Sequence, residues 1–541
     1  MTGFLKNLLS KILDFFGSKE RSEDDIRLDT FFDREQAFSV YNSEKINNIL
    51  RTLPVKKREV FRLIPILLCY NDPVLPGYIH SRTAMHGISN FSISPEDKRL
   101  LMKYFKKSSL KSSDTKGVAV ELLALIGSMG SVAQTEESDL DFWVCTTFEH
   151  FSEDQISHFK TKLREVEEWA DKVADLEVHF FLMDSDKVHS NEFGETGGES
   201  SGSALAKLLK EEFYRTAVYV CGKLPYWCIV PPDADDEEYA EDIDFLKQFN
   251  HFSFSHYIDI GNVYQISKNE FFGAALWEIV KGWRFPFKSI LKMALLEKYL
   301  SSDLTSELLC NSLKSNVFKD PRNPKNDPYI LLFDSILDFH KQDSTSKDLE
   351  IIKTCFYIKT HLKGSEILTV KSQNDIKDER TKRYYKAIKS YIDHFNWDLS
   401  THRHLETFQN WTVKEANSFL SKIDTSMLNM YKNIMQIVKV GESIVISDKD
   451  LTIIGRKIHS IFRKVPCKIP FVASLHNAGN VGSIVLHEET KGKWNLHFGT
   501  KRILNPILAA KDVVYSANNI FEIIAWIAMN EYYKERMYLF V

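Results

Sequence analysis

A chain of 541 residues, with 43% hydrophobic and 27% charged side chains, is too long for one core and too ordinary in composition to be disordered or fibrous. Its formal net charge of −4 argues against a protein dominated by a nucleic-acid-binding face, although a local basic channel stays compatible with it. The seven cysteines are scattered, and Cys221 and Cys228 have neither zinc-knuckle nor redox-pair spacing, so they read as reduced thiols of a cytoplasmic protein.

No apolar run reaches the ~20 residues that cross a bilayer. The first element is amphipathic instead. In "FLKNLLSKILDFFGSK", residues 4–16 carry Phe4, Leu5, Leu8, Leu9, Ile12, Leu13, Phe15 and Phe16 on one helical stripe. Charges interrupt the stretch and no small-residue cleavage site follows, so it is not a signal peptide. With its charged linker it forms a unit over 1–25, suited to a peripheral contact at the inner face of a membrane or with a protein partner. The competing reading folds it back onto its own chain. Residues 26–110 look helical, broken by a loop with Pro73, Pro76 and Gly77. Over 111–235 the pattern changes. "VAVELLALIG" and "SDLDFWVC" read as strands, and residues 152–174 as a helix with Ser152 as N-cap and Glu153 and Asp154 in its first turn. "LEVHFFLM" is again strand-like. Helices dominate 236–435, and 436–541 is mixed α/β, with a hairpin around Lys491-Gly492 and a helix in "NNIFEIIAWIAMNEYYKE".

The chemistry concentrates in "IGSMGSVAQTEESDLDFWVC", residues 126–145. In an extended strand Asp139 and Asp141 project to one face with Cα atoms ~6.6 Å apart. Two carboxylates so placed repel unless a cation lies between them, and Mg²⁺ takes one or two carboxylates plus phosphate oxygens. Upstream, Gly127 and Gly130 strip side chains from the backbone so that N–H groups can approach an anion. Ser128, Ser131 and Ser138 add hydroxyls. A short helix opening after this turn would favour phosphate further. Glu177, at the start of the strand after the intervening helix, is the candidate third carboxylate of a two-metal site.

A glycine–serine turn, two aspartates one residue apart and a later strand acid follow the order of parts of the polymerase-β-like nucleotidyltransferases. More closely, "GSMGSVAQTEESDLDFWVC" resembles the active-site segment of class I adenylate cyclases of enteric bacteria. The resemblance continues through "LEVHFFLMD", "HSNEFGETGGESSGSALAKLLKEEFYRTAVYVCGK", "EFFGAALWEIVKGWRFPFKSILKMALLE" and "CFYIKTHLK", and upstream in "LIPILLCYNDPVLPGYI". It implies an α+β architecture: N-terminal helices, a polymerase-β-like catalytic domain, a helical middle domain and a mixed α/β C-terminal domain. It implies conversion of ATP to 3′,5′-cyclic AMP and pyrophosphate by attack of the substrate's own 3′-hydroxyl. Asp139 and Asp141 would then hold two Mg²⁺ or Mn²⁺ ions, and Glu177 would share the one that activates the 3′-oxygen.

Lys281, Lys288 and Lys292 fall in the matching helical blocks and would neutralise the leaving group, Lys288 and Lys292 lying four apart on one helical face. Tyr214 and Arg215 either contact nucleotide or brace two subdomains, and Lys223 is equally open. The glycine-rich stretch 191–203 is either a loop closing over substrate or an exposed connection. Enteric members carry a further C-terminal regulatory half, so this sequence is expected to be a short member or the catalytic portion alone. Two other functions compete: transfer of a nucleotide to an RNA, protein or small-molecule acceptor, and silent nucleotide binding. The charge balance counts mildly against an RNA acceptor, and the presence of all three acids counts against a degenerate site.

Overall fold

The computed structural model describes residues 22–541 apart from 82, 107, 109, 111–117, 194–204, 250–252, 302–306, 342–346, 441–447, 464–467, 473–481, 500–512 and 534–536. The amphipathic stretch 4–16 and most of the glycine-rich stretch 191–203 lie outside the described residues. What is described is a mixed α+β protein, largely helical, with two four-stranded sheets. Among the described residues no helix is long and apolar enough to cross a membrane.

The chain enters through a 30-residue helix, Glu23–Thr52. Ser22 and Asp25 form a capping box at its start, and Glu23, Asp24 and Asp25 complement the helix dipole. Pro54 bars its continuation, and a second helix runs Val55–Cys69. The first sheet follows, built from β1 (Leu122–Ile126), β2 (Leu140–Thr146), β3 (Val178–Asp184) and β4 (Val218–Gly222), in the order β3-β2-β1-β4. β1 begins later than the sequence pattern suggests, because Val120 forms an isolated bridge to Ile88 rather than extending the strand.

β1 is antiparallel to both β2 and β4, whereas β2 and β3 are parallel. A parallel pair needs a crossover, supplied by the helix Glu153–Ala174. Its cap is the expected one: Ser152 accepts from the Gln155 N–H, and Gln155 reaches back to the Ser152 N–H.

β1 and β2 are buried on both faces, which explains their nearly unbroken apolar runs. Leu123, Leu125, Phe142, Val144 and Val178 join Ile64, Phe159 and Val166 in one core. The alternate residues Leu122, Ala124, Trp143 and Cys145 join the larger core that continues into the helical region, with Trp143 stacked on Phe213 at 4.3 Å. In that region the helices Lys268–Lys281 and Pro286–Ser301 pack on each other and on Val413–Val440. Near the C-terminus the hairpin pairs Ser483–Thr490 with Lys493–Gly499, Gly492 supplying the left-handed turn residue at φ 86°. The last helix is shorter than the pattern suggests, Ile520–Met529. Asn530 ends it, committing its side chain to the Val472 N–H and the Pro470 carbonyl.

Candidate active site

Register brings the chemistry to one edge of the first sheet. Ile126, the last residue of β1, lies opposite Asp141, so the turn starting at Gly127 leaves the sheet where the two aspartates enter it. β2 and β3 are parallel with Asp141 beside His179. Period-two alternation puts Asp139, Asp141, Glu177 and His179 on one face, the face shared with Trp143 that looks toward the helical region.

Donor atoms of Asp139, Asp141 and His179 all lie within 4.8 Å of one another. Glu177 stands just ahead of β3, its carbonyl accepting from the Leu140 N–H at 3.0 Å. Its carboxylate sits 2.9 Å from the His179 Nε2, so it meets the aspartates through the imidazole. The paired-carboxylate pattern does not call for His179, although the alternation in "LEVH" places it on the same face as Glu177. Burial, reinforced by the Asp139 charge, pushes the Asp141 carboxyl up to about 6 against the opposing pull of His179 and Lys288. For His179, burial disfavours the charged ring, but the Glu177 hydrogen bond and the Asp141 charge outweigh it and raise its pKa. Paired carboxylates held at this cost, with an imidazole beside them, fit a hard divalent cation: oxygen donors for Mg²⁺, a nitrogen also acceptable to Mn²⁺.

The turn uses its glycines differently. Gly127 needs only its positive φ of 88°, since a Cβ there would meet nothing within 4 Å. Gly130 also permits close approach, because a Cβ would stand 3.0 Å from the Lys45 carbonyl oxygen. Most of the turn's donors already have partners within the protein. The Gly127 N–H points at the Thr216 hydroxyl, Gly130 at the Gln134 side chain and Ser131 at the Ser128 carbonyl. The Ser131 hydroxyl is buried and donates to the Ser128 carbonyl at 2.6 Å, and the Ser138 hydroxyl accepts from the Thr135 N–H. Among the described residues the N–H groups of Ser128 and Met129 keep no protein acceptor. No helix opens after the turn: residues 131–139 contain only turns and irregular backbone.

The lysines separate by their partners. Lys292 is 2.8 Å from Glu212 and 3.5 Å from Glu278, and although burial opposes it, these two acids hold its pKa well above the usual range. Lys288, one turn earlier on the same helix, makes no ion pair among the described residues. The neighbouring Lys292 charge lowers its pKa first and burial second, while Glu212, Glu278 and Asp141 pull the other way. Lys281 ends its helix exposed to solvent. Tyr214 is stacked on Trp227 at 4.2 Å with its hydroxyl on the Gly261 carbonyl, and Arg215 is buried against Glu211 at 3.0 Å. Both brace the interior, with their polar atoms taken by the protein. Lys223 pairs with Glu121 at 2.7 Å.

A sheet edge that offers cation donors, beside a turn with two open N–H groups and facing a half-buried lysine with no ion pair among the described residues, has the donors that a metal-bound phosphate compound needs. The family descriptions that match the chain are "Adenylate cyclase NT domain" over residues 31–228 and "Adenylate cyclase, class-I, second domain" over residues 266–473. The chain belongs to the class I adenylate cyclase family. Relatives named adenylate cyclase include one from Haemophilus influenzae, 27% identical over 88% of this chain and 57% of that protein. Another, from Escherichia coli K12, is 27% identical over 81% of this chain and 50% of that protein, and one from Pasteurella multocida is 28% identical over 76% and 49%. The chain thus spans about half the length of the relatives it matches. No solved structure matches it.

Proposed function

We propose that this protein converts ATP to 3′,5′-cyclic AMP and pyrophosphate at the edge of the first sheet. The reading is carried by one juxtaposition: the carboxylate Asp141 and the amine Lys288 act on each other across the site, one from each of the two matched family segments. We take residues 111–235 as a catalytic domain of polymerase-β-like nucleotidyltransferase type, because an aspartate pair opens a strand joined by a helix to a parallel neighbour. Helical units over 26–110 and 236–435 and a mixed unit over 436–541 complete the proposed division.

Asp139 and Asp141 would hold the cations, with His179 at the same edge and Glu177 orienting the imidazole. Two Mg²⁺ or Mn²⁺ ions, when bound, would supply charge neutralisation for the triphosphate and acidify the 3′-hydroxyl. The Ser128 and Met129 N–H groups would meet phosphate oxygens, and Lys288 would meet the charge that builds on the leaving pyrophosphate. Lys292 would act on substrate only through Lys288, whose pKa it holds down. Because the nucleophile belongs to the substrate, the residues' main task is to hold the ribose and α-phosphate in line.

Labelled 3′-deoxy-ATP separates this reading from transfer to another acceptor. A cyclase binds it as a competitive inhibitor and gives no product, since the attacking hydroxyl is missing. A transferase that adenylylates an RNA, a protein or a small molecule still uses it as donor, and label appearing on any acceptor would overturn the proposal.

A further inference from the structure

The turn that leaves β1 is held from a distance. Asp327 is buried, 6% exposed, and caps the helix Pro328–His340 by accepting the Tyr329 and Ile330 N–H groups at 2.9 and 3.2 Å on one oxygen. Its other oxygen accepts the N–H of Val132 at 2.7 Å, a residue 195 positions earlier. Burial raises its pKa, and the hydrogen bonds from Val132, Tyr384, Ile330 and Tyr329 work against that rise. Arg380 donates to the carbonyl of Gln134 at 2.7 Å and to that of Val132 at 3.4 Å, and its second nitrogen donates to the His361 carbonyl. One residue, Val132, is therefore gripped at its N–H by Asp327 and at its carbonyl by Arg380. A cap needs only the first oxygen of Asp327, and among the described residues the Arg380 guanidinium donates to backbone carbonyls and to no carboxylate. Asp327, buried, and Arg380, half-buried, both commit hydrogen bonds to the same short segment, which follows within a few residues of the Ser128 and Met129 N–H groups.

We infer that Asp327 and Arg380 are positioning residues that fix the shape of the phosphate-facing turn, so that the helical region acts on triphosphate affinity through the backbone of Val132. This rests on the proposed function, in which that turn faces the triphosphate. Asp141 and His179 lie on other strands, so cation binding is separable from phosphate binding. Loss of the Arg380 grip would let the turn relax and misdirect its open N–H groups while Asp139, Asp141 and His179 stay where the sheet places them.

The test compares the full chain with Arg380→Ala and Arg380→Lys, measuring calorimetric binding of α,β-methylene-ATP and of pyrophosphate. Mn²⁺ binding followed by electron paramagnetic resonance and the ATP KM and kcat accompany it. Arg380→Ala is expected to weaken both phosphate ligands and raise KM by about tenfold or more, with Mn²⁺ affinity within about twofold of the parent and partial rescue by added guanidinium. Arg380→Lys, keeping the charge and one donor direction, should fall between them and carries the same test if the alanine variant does not fold. Unchanged phosphate affinity in a folded variant would overturn the inference. So would parallel losses of phosphate affinity, Mn²⁺ affinity and thermal stability, which would make Arg380 a brace and nothing more. A parent protein that binds neither α,β-methylene-ATP nor pyrophosphate would instead overturn the reading of the turn, and this inference with it.

Discussion

The two ends of the candidate site, one proposed for cations and one for phosphate, are built in opposite ways. The proposed cation end is local: Asp141 and His179 pair across two neighbouring strands joined by one helix, and Asp139 and Glu177 stand just ahead of those strands. The phosphate end is assembled from afar, its turn touched by Lys45 and Asn48 from the first helix, Thr216 from another, and Asp327 and Arg380 from the helical region. A ladder fixes side chains through backbone bonds that most sequences can make. A turn has no ladder, so its shape depends on particular distant side chains. The cation end should therefore tolerate change outside its own residues, and the phosphate end should not.

The largest break is expected at the cation end itself. Asp141→Asn should lower turnover by on the order of 10³-fold, since cation-held charge contributes several kcal/mol. The same variant should make the cation-free protein more stable near neutral pH. The carboxyl is raised to about 6, so between its ordinary value and that pH the folded protein holds a proton that the unfolded chain has released. Stability then falls as pH rises through this window. Asparagine removes that cost, a gain on the order of 1–2 kcal/mol that should vanish in strong acid; urea melts at neutral and acid pH check it.

Two lysines one turn apart offer the next contrast. Lys288→Met should cost roughly 10²-fold in kcat with little change in stability, because no ion pair is broken. Lys292→Met strands Glu212 and Glu278 in a buried setting and should destabilise the protein by roughly 3 kcal/mol, read from denaturant unfolding. If the two variants exchange these signatures, the assignment of Lys288 to the substrate and Lys292 to the scaffold is wrong.

Much of the cation end was legible in the sequence because it obeys a local rule. Alternation puts the two aspartates on one face, Ser152 with Glu153 and Asp154 in the first turn marks the crossover helix, and Lys491-Gly492 marks the hairpin. His179 belongs to the same alternating pattern, but only the pairing register of β2 with β3 puts it beside Asp141. The phosphate end was legible only as composition. Its glycines and serines suggested an anion cradle, but Ser131 turns its hydroxyl inward and no helix follows the turn. Lys288 and Lys292 looked alike, since the acids that tell them apart lie on other helices. Tyr214 and Arg215 could have gone to nucleotide or to the interior, and Glu211 and Trp227 settle them inside. The grip of Asp327 and Arg380 spans 195 and 246 residues, a separation no local pattern encodes.

A milder perturbation sharpens the same contrast. Mn²⁺ affinity should fall about tenfold for each pH unit below 6, as the Asp141 carboxyl is protonated and must lose its proton to bind, whereas pyrophosphate bound through N–H groups should follow its own ionisation instead. The smallest effect is expected from Ser152→Ala. Losing that cap should cost about 1 kcal/mol of stability and leave kcat and KM unchanged, because the ladder and not the helix end aligns the donors; a melting curve and steady-state kinetics measure both.

The central claim is tested most directly by incubating purified protein with ATP labelled at the α-phosphorus and Mg²⁺, with Asp141→Asn in parallel, and resolving the products by chromatography. The account predicts cyclic AMP and pyrophosphate in equal amounts from the parent protein and neither from the variant. Equal cyclic AMP from both proteins, or label carried onto any acceptor other than the nucleotide's own 3′-oxygen, would contradict it.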